Sequence, residues 1–138
     1  MNNDALIAFF ERDIPFNAHL GMRVDHLEVG HCVLRIPYAV HLVGDAGRPA
    51  LHGGVLSTLA DTAGGLAVYS KFPWGEARVS TIDLRLDYLR PGLPQDVLCE
   101  ATVLRLGNKV AVTQMVIRQG GDYTAADGRG VYNVLRND

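Results

Sequence analysis

Hydrophobic and polar positions follow two different periods along the chain. In residues 78–89 they alternate, which is typical of a half-buried strand. The apolar members are Ile82, Leu84, Leu86 and Tyr88, and the polar members are Thr81, Asp83, Arg85 and Asp87. In residues 53–70 apolar or small side chains instead occupy almost every position, which favours a long helix buried on all sides.

The remaining segments complete the predicted order of elements. A short amphipathic helix over residues 4–12, capped by Asn3 or Asp4, is expected to end before Pro15. The further strands are predicted at 22–29, 31–37, 96–106, 109–119 and 123–135. Because tight turns connect consecutive strands, the sheet should be antiparallel. To bury one helix on all sides it must curl, giving an α+β fold in one domain over residues 1–138.

Glycines modify two of these elements. Gly64 and Gly65 each cost the central helix roughly 1 kcal/mol relative to Ala, and we expect close approach of another backbone to compensate. Gly128 and Gly130 predict a bulge or bend in the last strand.

Composition and charge limit the kinds of partner that the chain could bind. The formal net charge of -2 and the pI near 6.2 argue against a nucleic-acid surface or a polybasic membrane patch. No apolar run approaches the roughly 18 residues that span a bilayer, and the first four residues lack the basic start of a secretory signal. Cys32 and Cys99 lie in apolar strands and are expected to be buried free thiols in a reducing cytoplasm. No cysteine–histidine cluster has metal-ligand spacing, so no metal site is predicted.

The most informative chemistry lies in the central helix. Asp61 is its one carboxylate, and an ionised carboxylate in apolar surroundings is costly unless it is paired or its pKa rises. Ser57, Asp61 and Gly65 share one face, so a substrate could approach the carboxylate there. Asp61 is therefore a candidate general base or nucleophile, and the alternative is a local hydrogen-bonding role.

The segment from Leu51 to Ala63 contains two short motifs at a fixed spacing. His52-Gly53-Gly54 opens the helix, and Leu59-Ala60-Asp61 follows. This combination resembles the hotdog-fold acyl-CoA thioesterases of the phenylacetic-acid-degradation type, and the resemblance extends from Leu20 through the final strand. It implies hydrolysis of a coenzyme A thioester to a free acid and coenzyme A. It also implies a homodimer with a continuous sheet, commonly a homotetramer built as a dimer of dimers, and no cofactor beyond the coenzyme A of the substrate.

The resemblance assigns roles to four residues. The amide of Gly53 is expected to polarise the thioester oxygen, and Gly54 is expected to be a steric requirement. His52 could donate a hydrogen bond or a proton, although we favour a role in anchoring the start of the helix. Thr81 corresponds to a hydroxyl that helps hold the attacking water in related enzymes, with Ser80 as the alternative.

Helix geometry limits how these residues cooperate. Gly53 and Asp61 are eight residues apart, which is about 12 Å along a helix axis. They cannot both contact one carbonyl carbon within a protomer. If both act on the thioester, they must come from different subunits.

The chain departs from the family pattern in the loop before the helix. Many relatives carry an asparagine six residues before the motif histidine, and this chain has Ala46 there. The orienting role is then vacant, or it passes to Asp45 or Arg48.

The phosphates of coenzyme A need local cations despite the overall charge. Arg90 and the pair Asn108-Lys109 match the places where related enzymes contact the nucleotide, and solvated surface cations are the alternative. Trp74 and Phe72 could line the acyl pocket, although packing is favoured. His19, His26, His31 and His41 show no partner pattern.

The sequence thus predicts an acyl-CoA thioesterase acting on a small-molecule substrate. Two other classes remain open, a hotdog hydratase or dehydratase that uses His52 in its chemistry, and a non-catalytic acyl-CoA-binding protein.

Overall fold

The computed structural model describes residues 3–137. Its N-terminal part differs from the prediction, because two helices are present instead of one. Helix α1, Asp4–Ala8, continues into a π-helical turn at Phe9–Asp13, and helix α2 spans Pro15–Leu20. Ile14 between them is extended, as expected before proline, and Pro15 then begins α2 at a position where no amide donor is needed.

Six strands form one antiparallel sheet. They are β1 (Arg23–Glu28), β2 (His31–Ile36), β3 (Ala77–Tyr88), β4 (Val97–Leu106), β5 (Val110–Gln119) and β6 (Tyr123–Arg136). Their order in the sheet is β1-β2-β4-β5-β6-β3, so β1 and β3 are the edges. The predicted strand bounds agree with the observed ones within about one residue, and the predicted hotdog architecture is confirmed.

Helix α3, Gly53–Tyr69, contacts strands β2 to β6, and the sheet curls around it. Its buried residues are Val55, Leu56, Leu59, Ala60, Ala63, Gly64, Leu66, Ala67 and Val68. The prediction that the helix is buried on all sides is wrong within a single chain. One stripe of small and polar residues stays exposed or half-buried, namely Gly54, Ser57, Thr58, Asp61, Thr62 and Gly65.

A bulge in β3 interrupts the alternation that was predicted for this strand. Thr81 pairs with Tyr132 and Asp83 with Val131, so Ile82 is the extra residue. The bulge shifts the phase of the strand, and Thr81 therefore faces α3 while Ile82 is exposed. Sequence alternation alone predicts the reverse, with Ile82 on the buried face and Thr81 on the exposed face.

The last strand carries its bulge at Ala125 and not at the predicted glycines. Gly128 instead allows close approach of β3, because a Cβ there would lie 1.9 Å from the carbonyl oxygen of Arg85. A Cβ on Gly130 would lie 2.6 Å from the ring of Tyr132. Both glycines are thus required by what packs against them.

Cys32 and Cys99 are buried free thiols, as predicted. Burial raises the pKa of Cys32 to about 12, and it also raises the pKa of Cys99. Neither thiol is therefore available as a thiolate nucleophile. No helix between residues 3 and 137 has the length and apolar character needed to cross a membrane.

Candidate active site

Asp61 lies in the middle of α3 on its half-open stripe. The Thr81 hydroxyl donates a hydrogen bond of 2.7 Å to Asp61 Oδ1. The β3 bulge makes this contact possible, because it turns Thr81 toward the helix. The structure thus brings together two of the predicted catalytic residues, and Ser80, which pairs with Asn133 in the ladder, is not the hydroxyl on Asp61.

A second hydroxyl near Asp61 was not found from the sequence. Tyr132 donates a hydrogen bond of 2.9 Å to the carbonyl oxygen of Asp61, and its oxygen is 3.4 Å from Oδ1. Burial, reinforced by the negative charge of Asp61, raises the pKa of Tyr132, so the phenol remains a donor. Tyr132 thereby fixes both the helix backbone and the direction of the carboxylate.

The signal for Tyr132 was present in the helix glycines. A Cβ on Gly64 would lie 2.1 Å from the Tyr132 oxygen and 2.9 Å from Thr113 Oγ1. The predicted close approach therefore comes from side chains and not from another backbone. A small residue in a buried helix marks the place where a large side chain enters.

The Asp61 carboxylate opens onto a cavity of about 300 Å³. Asp61, Thr62, Gly65, Thr81 and Tyr132 form its polar side. The other side is largely apolar and aromatic and consists of Phe9, Phe10, Ile14, Asn17, Tyr69 and Val79. A reactive carboxylate beside an apolar cavity is an arrangement suited to a substrate with a polar reacting group and an apolar chain.

The N-terminal end of α3 is organised differently. His52 caps the helix, because its Nδ1 accepts a hydrogen bond of 2.8 Å from the Gly54 amide. The imidazole packs against Gly54 so closely that a Cβ there would lie 2.9 Å from Nδ1. His52 anchors the start of the helix through this contact, and Gly54 is sterically required.

Tyr88 covers Gly53 from β3. Its hydroxyl donates a hydrogen bond of 3.0 Å to the carbonyl oxygen of Gly53 and also bonds with the Ser57 hydroxyl. Ser57 lies on the helix face where a substrate was expected to approach, and it is engaged with Tyr88, a residue that sequence reasoning had not assigned to the site. Among residues 3–137 the Gly53 amide has no hydrogen-bond acceptor. Because Gly53 is the first residue of α3, that amide lies at the positive end of the helix dipole.

The loop that departs from the family pattern does not reach Asp61. Asp45 accepts hydrogen bonds of 2.8 Å from the Gly47 amide and 2.9 Å from Arg48 Nε. These contacts lower the pKa of Asp45. Asp45 and Arg48 therefore stabilise their own exposed turn, and neither contacts Asp61 or Thr81 in the described part of the chain. Ala46 is also exposed.

The predicted phosphate-binding residues lie at two separate places. Arg90 follows β3 and stacks on Tyr123, 5.5 Å from the ring centroid. Asn108 and Lys109 form the turn before β5, where Arg136 Nε donates to the Asn108 carbonyl oxygen. Strand β5 separates the two places by about 30 Å. The structure therefore does not bring these residues together within one chain.

Trp74 and Phe72 pack outside the cavity lining. The Trp74 ring centroid lies 4.9 Å from that of Phe9, and the Arg136 guanidinium lies 4.9 Å from the centroid of Phe72. The remaining histidines, for which the sequence showed no partner pattern and which were expected to be structural or surface residues, are exposed or half-buried. His26 and His31 both contact Glu28, and the rings of His19 and His41 have centroids 6.1 Å apart.

Comparison with known proteins agrees with the geometry. Residues 49–126, which contain both motifs and Thr81, match the family model described as the thioesterase superfamily. A Halobacterium salinarum protein described as a candidate esterase is 39% identical, with 97% of this chain and 93% of that protein covered. The medium/long-chain acyl-CoA thioesterase YigI of Escherichia coli is 34% identical over 91% of this chain and 88% of its own length.

Among solved structures, the Escherichia coli PaaI protein from the phenylacetic acid degradation operon superposes with a TM-score of 0.81 at 25% identity. The aligned region covers 95% of this chain and 89% of PaaI. The family match, the relatives and the site geometry agree on one conclusion. The chain belongs to the thioesterase superfamily and is a hydrolase acting on thioester bonds.

Proposed function

We propose that this protein is an acyl-CoA thioesterase with Asp61 as its reactive carboxylate. The observation that carries the proposal is the Asp61–Thr81 hydrogen bond of 2.7 Å on the polar side of the cavity of about 300 Å³. The similarity to YigI, a medium/long-chain acyl-CoA thioesterase, supports coenzyme A as the leaving group. The reaction uses no metal ion or redox cofactor.

Asp61 activates water or attacks the thioester carbonyl itself. In the first case it takes a proton from water as the new C–O bond forms, the C–S bond breaks, and the sulfur leaves as thiolate and is then protonated. In the second case the Asp61 carboxylate forms a C–O bond to the carbonyl as the C–S bond breaks, and the sulfur leaves as thiolate and is protonated. Water then hydrolyses the acyl-Asp61 anhydride to the free acid and restores the carboxylate. Thr81 holds the carboxylate through its donated hydrogen bond, and both routes give a free acid and coenzyme A.

The thioester oxygen is polarised by the Gly53 amide of a second copy of the chain. Gly53 and Asp61 are about 12 Å apart on one helix, so one carbonyl cannot contact both. Within residues 3–137, strand β3 has a partner on one side only, which is β6. The exposed stripe of α3 lies on the face toward which Thr81 points. A second copy beside β3 would extend the sheet and cover this stripe. We extend the proposal to a homodimer and to a dimer of dimers.

Coenzyme A phosphates are bound by cations at the surface. Arg90 follows the same strand end from which Tyr88 reaches Gly53, so it is placed to bind the nucleotide of a substrate at that end. Lys109 and Asn108 lie at the other end of β5 and would serve a nucleotide approaching from there.

The acyl group occupies the cavity beside Asp61. Its aromatic wall favours an apolar acyl chain or ring, and a volume of about 300 Å³ is at the lower end of small-molecule pockets. A panel of phenylacetyl-, butyryl-, octanoyl-, dodecanoyl- and palmitoyl-CoA assayed by free-thiol release identifies the preferred acyl group. Preference for phenylacetyl-CoA would support the phenylacetic-acid-degradation type, and preference for octanoyl- or dodecanoyl-CoA would support the YigI type.

Replacing Asp61 with Asn tests the proposal. We expect thiol release to fall by at least about 100-fold, because the asparagine amide cannot accept the proton or attack the carbonyl. Asp83→Asn is the matched control, because it removes the same charge from β3 on the far side of the bulge and should retain activity. Near wild-type turnover of the Asp61→Asn variant would overturn the assignment.

The hydratase alternative has less support, since His52 Nδ1 is occupied by the Gly54 amide. It is tested with an enoyl-CoA, by following the enoyl absorbance alongside thiol release. An enoyl-CoA that loses its enoyl absorbance while the thioester stays intact would indicate hydration, and loss of that activity in His52→Ala would assign it to the histidine.

A further inference from the structure

Three titratable side chains, His26, Glu28 and His31, lie together on the face of the sheet opposite Asp61. His26 and Glu28 are two residues apart in β1, and His31 opens β2 directly opposite Glu28. The two-residue turn between the strands contains Gly30 at φ 78°, a conformation that favours glycine. This hairpin places all three side chains on one face. Cys32, the next residue, points to the other side and contacts the Ala63 carbonyl oxygen of α3.

The donor atoms of the three side chains converge. Glu28 Oε1 lies 3.2 Å from His26 Nε2 and 3.0 Å from His31 Nδ1. All three atoms lie within 4.8 Å of one another. Ligand atoms in a tetrahedral zinc site with bonds of about 2.0–2.1 Å are about 3.3 Å apart. Two of the three separations are near that value, and rotation of the exposed His26 side chain can adjust the third.

His31 is held by an outer layer of charged groups. Its Nε2 lies 2.7 Å from Glu100 Oε2, and Arg118 Nη1 donates a hydrogen bond of 2.7 Å to Glu100 Oε1. Glu100 thus has one oxygen on Arg118 and the other on His31 Nε2. Histidines that bind zinc usually donate their other ring N–H to a carboxylate, and the contact between His31 and Glu100 matches this arrangement.

With Nε2 engaged by Glu100, His31 has Nδ1 left to bind an ion, and Nδ1 lies 3.0 Å from Glu28 Oε1. Imidazole nitrogens and a carboxylate oxygen are ligands that suit zinc and neighbouring divalent transition metals.

We propose that His26, Glu28 and His31 bind one divalent transition-metal ion of the zinc type, with water completing its coordination. The ion would join β1 to β2 across the hairpin at the edge of the sheet. It takes no part in thioester hydrolysis, because Asp61 and Thr81 lie on the inner face.

Zinc binding to the full chain tests the proposal. The dissociation constant and stoichiometry are measured by competition with a chromophoric chelator. We expect one Zn²⁺ per chain in the wild type and at least about tenfold weaker binding in a His26→Ala/His31→Ala variant. Glu28→Gln, which removes only the carboxylate, should also weaken binding. Glu100→Gln should raise the dissociation constant about 10- to 100-fold through the orientation of His31.

The second histidine pair provides the matched control. A His19→Ala/His41→Ala variant removes the same number of imidazoles elsewhere and should bind zinc as the wild type does. Thiol release by every variant reports that the fold is intact, independently of zinc. The proposal is wrong if the wild type binds zinc no more tightly than the His26→Ala/His31→Ala variant, or if the control variant loses binding equally.

Discussion

Two regions of α3, its start at Gly53 and its middle at Asp61, differ in the chemical groups that they present. The Gly53 end presents a backbone amide without an acceptor in the described chain, a capping histidine and the Tyr88 hydroxyl. The Asp61 region presents a carboxylate, two hydroxyl donors and a cavity. One end suits the oxygen of a thioester, and the other suits the attack on its carbon.

Each region is therefore incomplete alone. An amide at a helix N-terminus stabilises developing negative charge but provides no base, and a carboxylate provides a base but repels that charge. Because about 12 Å of one helix separates them, the two regions can act on one carbonyl only in the two-chain site that we propose. The following changes probe each region separately.

Replacing Gly53 with Pro probes the amide and should have the largest effect. Gly53 is the first residue of α3, where proline is tolerated, and His52 at φ -60° and ψ 134° already has the conformation favoured before proline. The substitution removes the N–H and keeps the helix. We expect kcat for thiol release to fall about 10²- to 10³-fold, as when an oxyanion donor is lost.

Gly53→Ala is its matched control, since it retains the N–H. The added Cβ would lie 3.4 Å from the Tyr88 ring, a distance that a small shift accommodates. The alanine variant should therefore be much more active than the proline variant. Equal activity of the two variants would mean that the Gly53 amide does not polarise the thioester oxygen.

Replacing Thr81 with Val probes the Asp61 region. The substitution keeps the shape and removes the hydrogen bond of 2.7 Å to the carboxylate. Hydrogen bonds to charged groups contribute about 1.5–3 kcal/mol, so we expect kcat to fall about 10- to 100-fold. Ser80→Ala on the same strand should leave kcat unchanged, and the reverse ranking would assign the role to Ser80.

Replacing Gly64 with Ala probes the packing that fixes Asp61. Its Cβ would lie 2.1 Å from the Tyr132 oxygen, and such overpacking costs about 1–3 kcal/mol of unfolding free energy. At Gly65 the nearest such atom is 3.8 Å away, so Gly65→Ala should instead stabilise the helix by up to about 1 kcal/mol. Urea denaturation of both variants checks the contrast, and similar stabilities would refute the role given to Tyr132.

Local patterns predicted most of the fold. Alternation and turn glycines located all six strands, and the apolar run located α3, because these signals reside within each segment. The bulge at Ile82 could not be predicted, since it depends on the pairing of β3 with a distant strand, β6. Helix α2 was missed because Pro15 was interpreted only as an end, although proline also begins helices.

The site was predictable where a motif marked it. The sequence selected Asp61, Gly53 and Thr81 as candidates, and the structure shows a hydrogen bond between Thr81 and Asp61. Tyr132 was missed because it is far from Asp61 in the sequence and therefore gives no periodic signal. Its one trace in the sequence is the absence of a side chain at Gly64, where the Tyr132 hydroxyl packs. The Glu28 contacts of His26 and His31 were missed because the search considered cysteine–histidine spacing and not the two faces of a hairpin.

Mixing two inactive variants tests the shared site most directly. Asp61→Asn and Gly53→Pro chains are unfolded together in equal amounts, refolded and assayed for thiol release. In a symmetric dimer with one intact site per mixed pair, activity should return to about a quarter of the wild-type value. Mixing Asp61→Asn with Asp61→Ala is the control and should restore nothing. Recovery only in the first mixture is the predicted result, and no recovery from chains that do form mixed dimers would contradict a site built from two subunits.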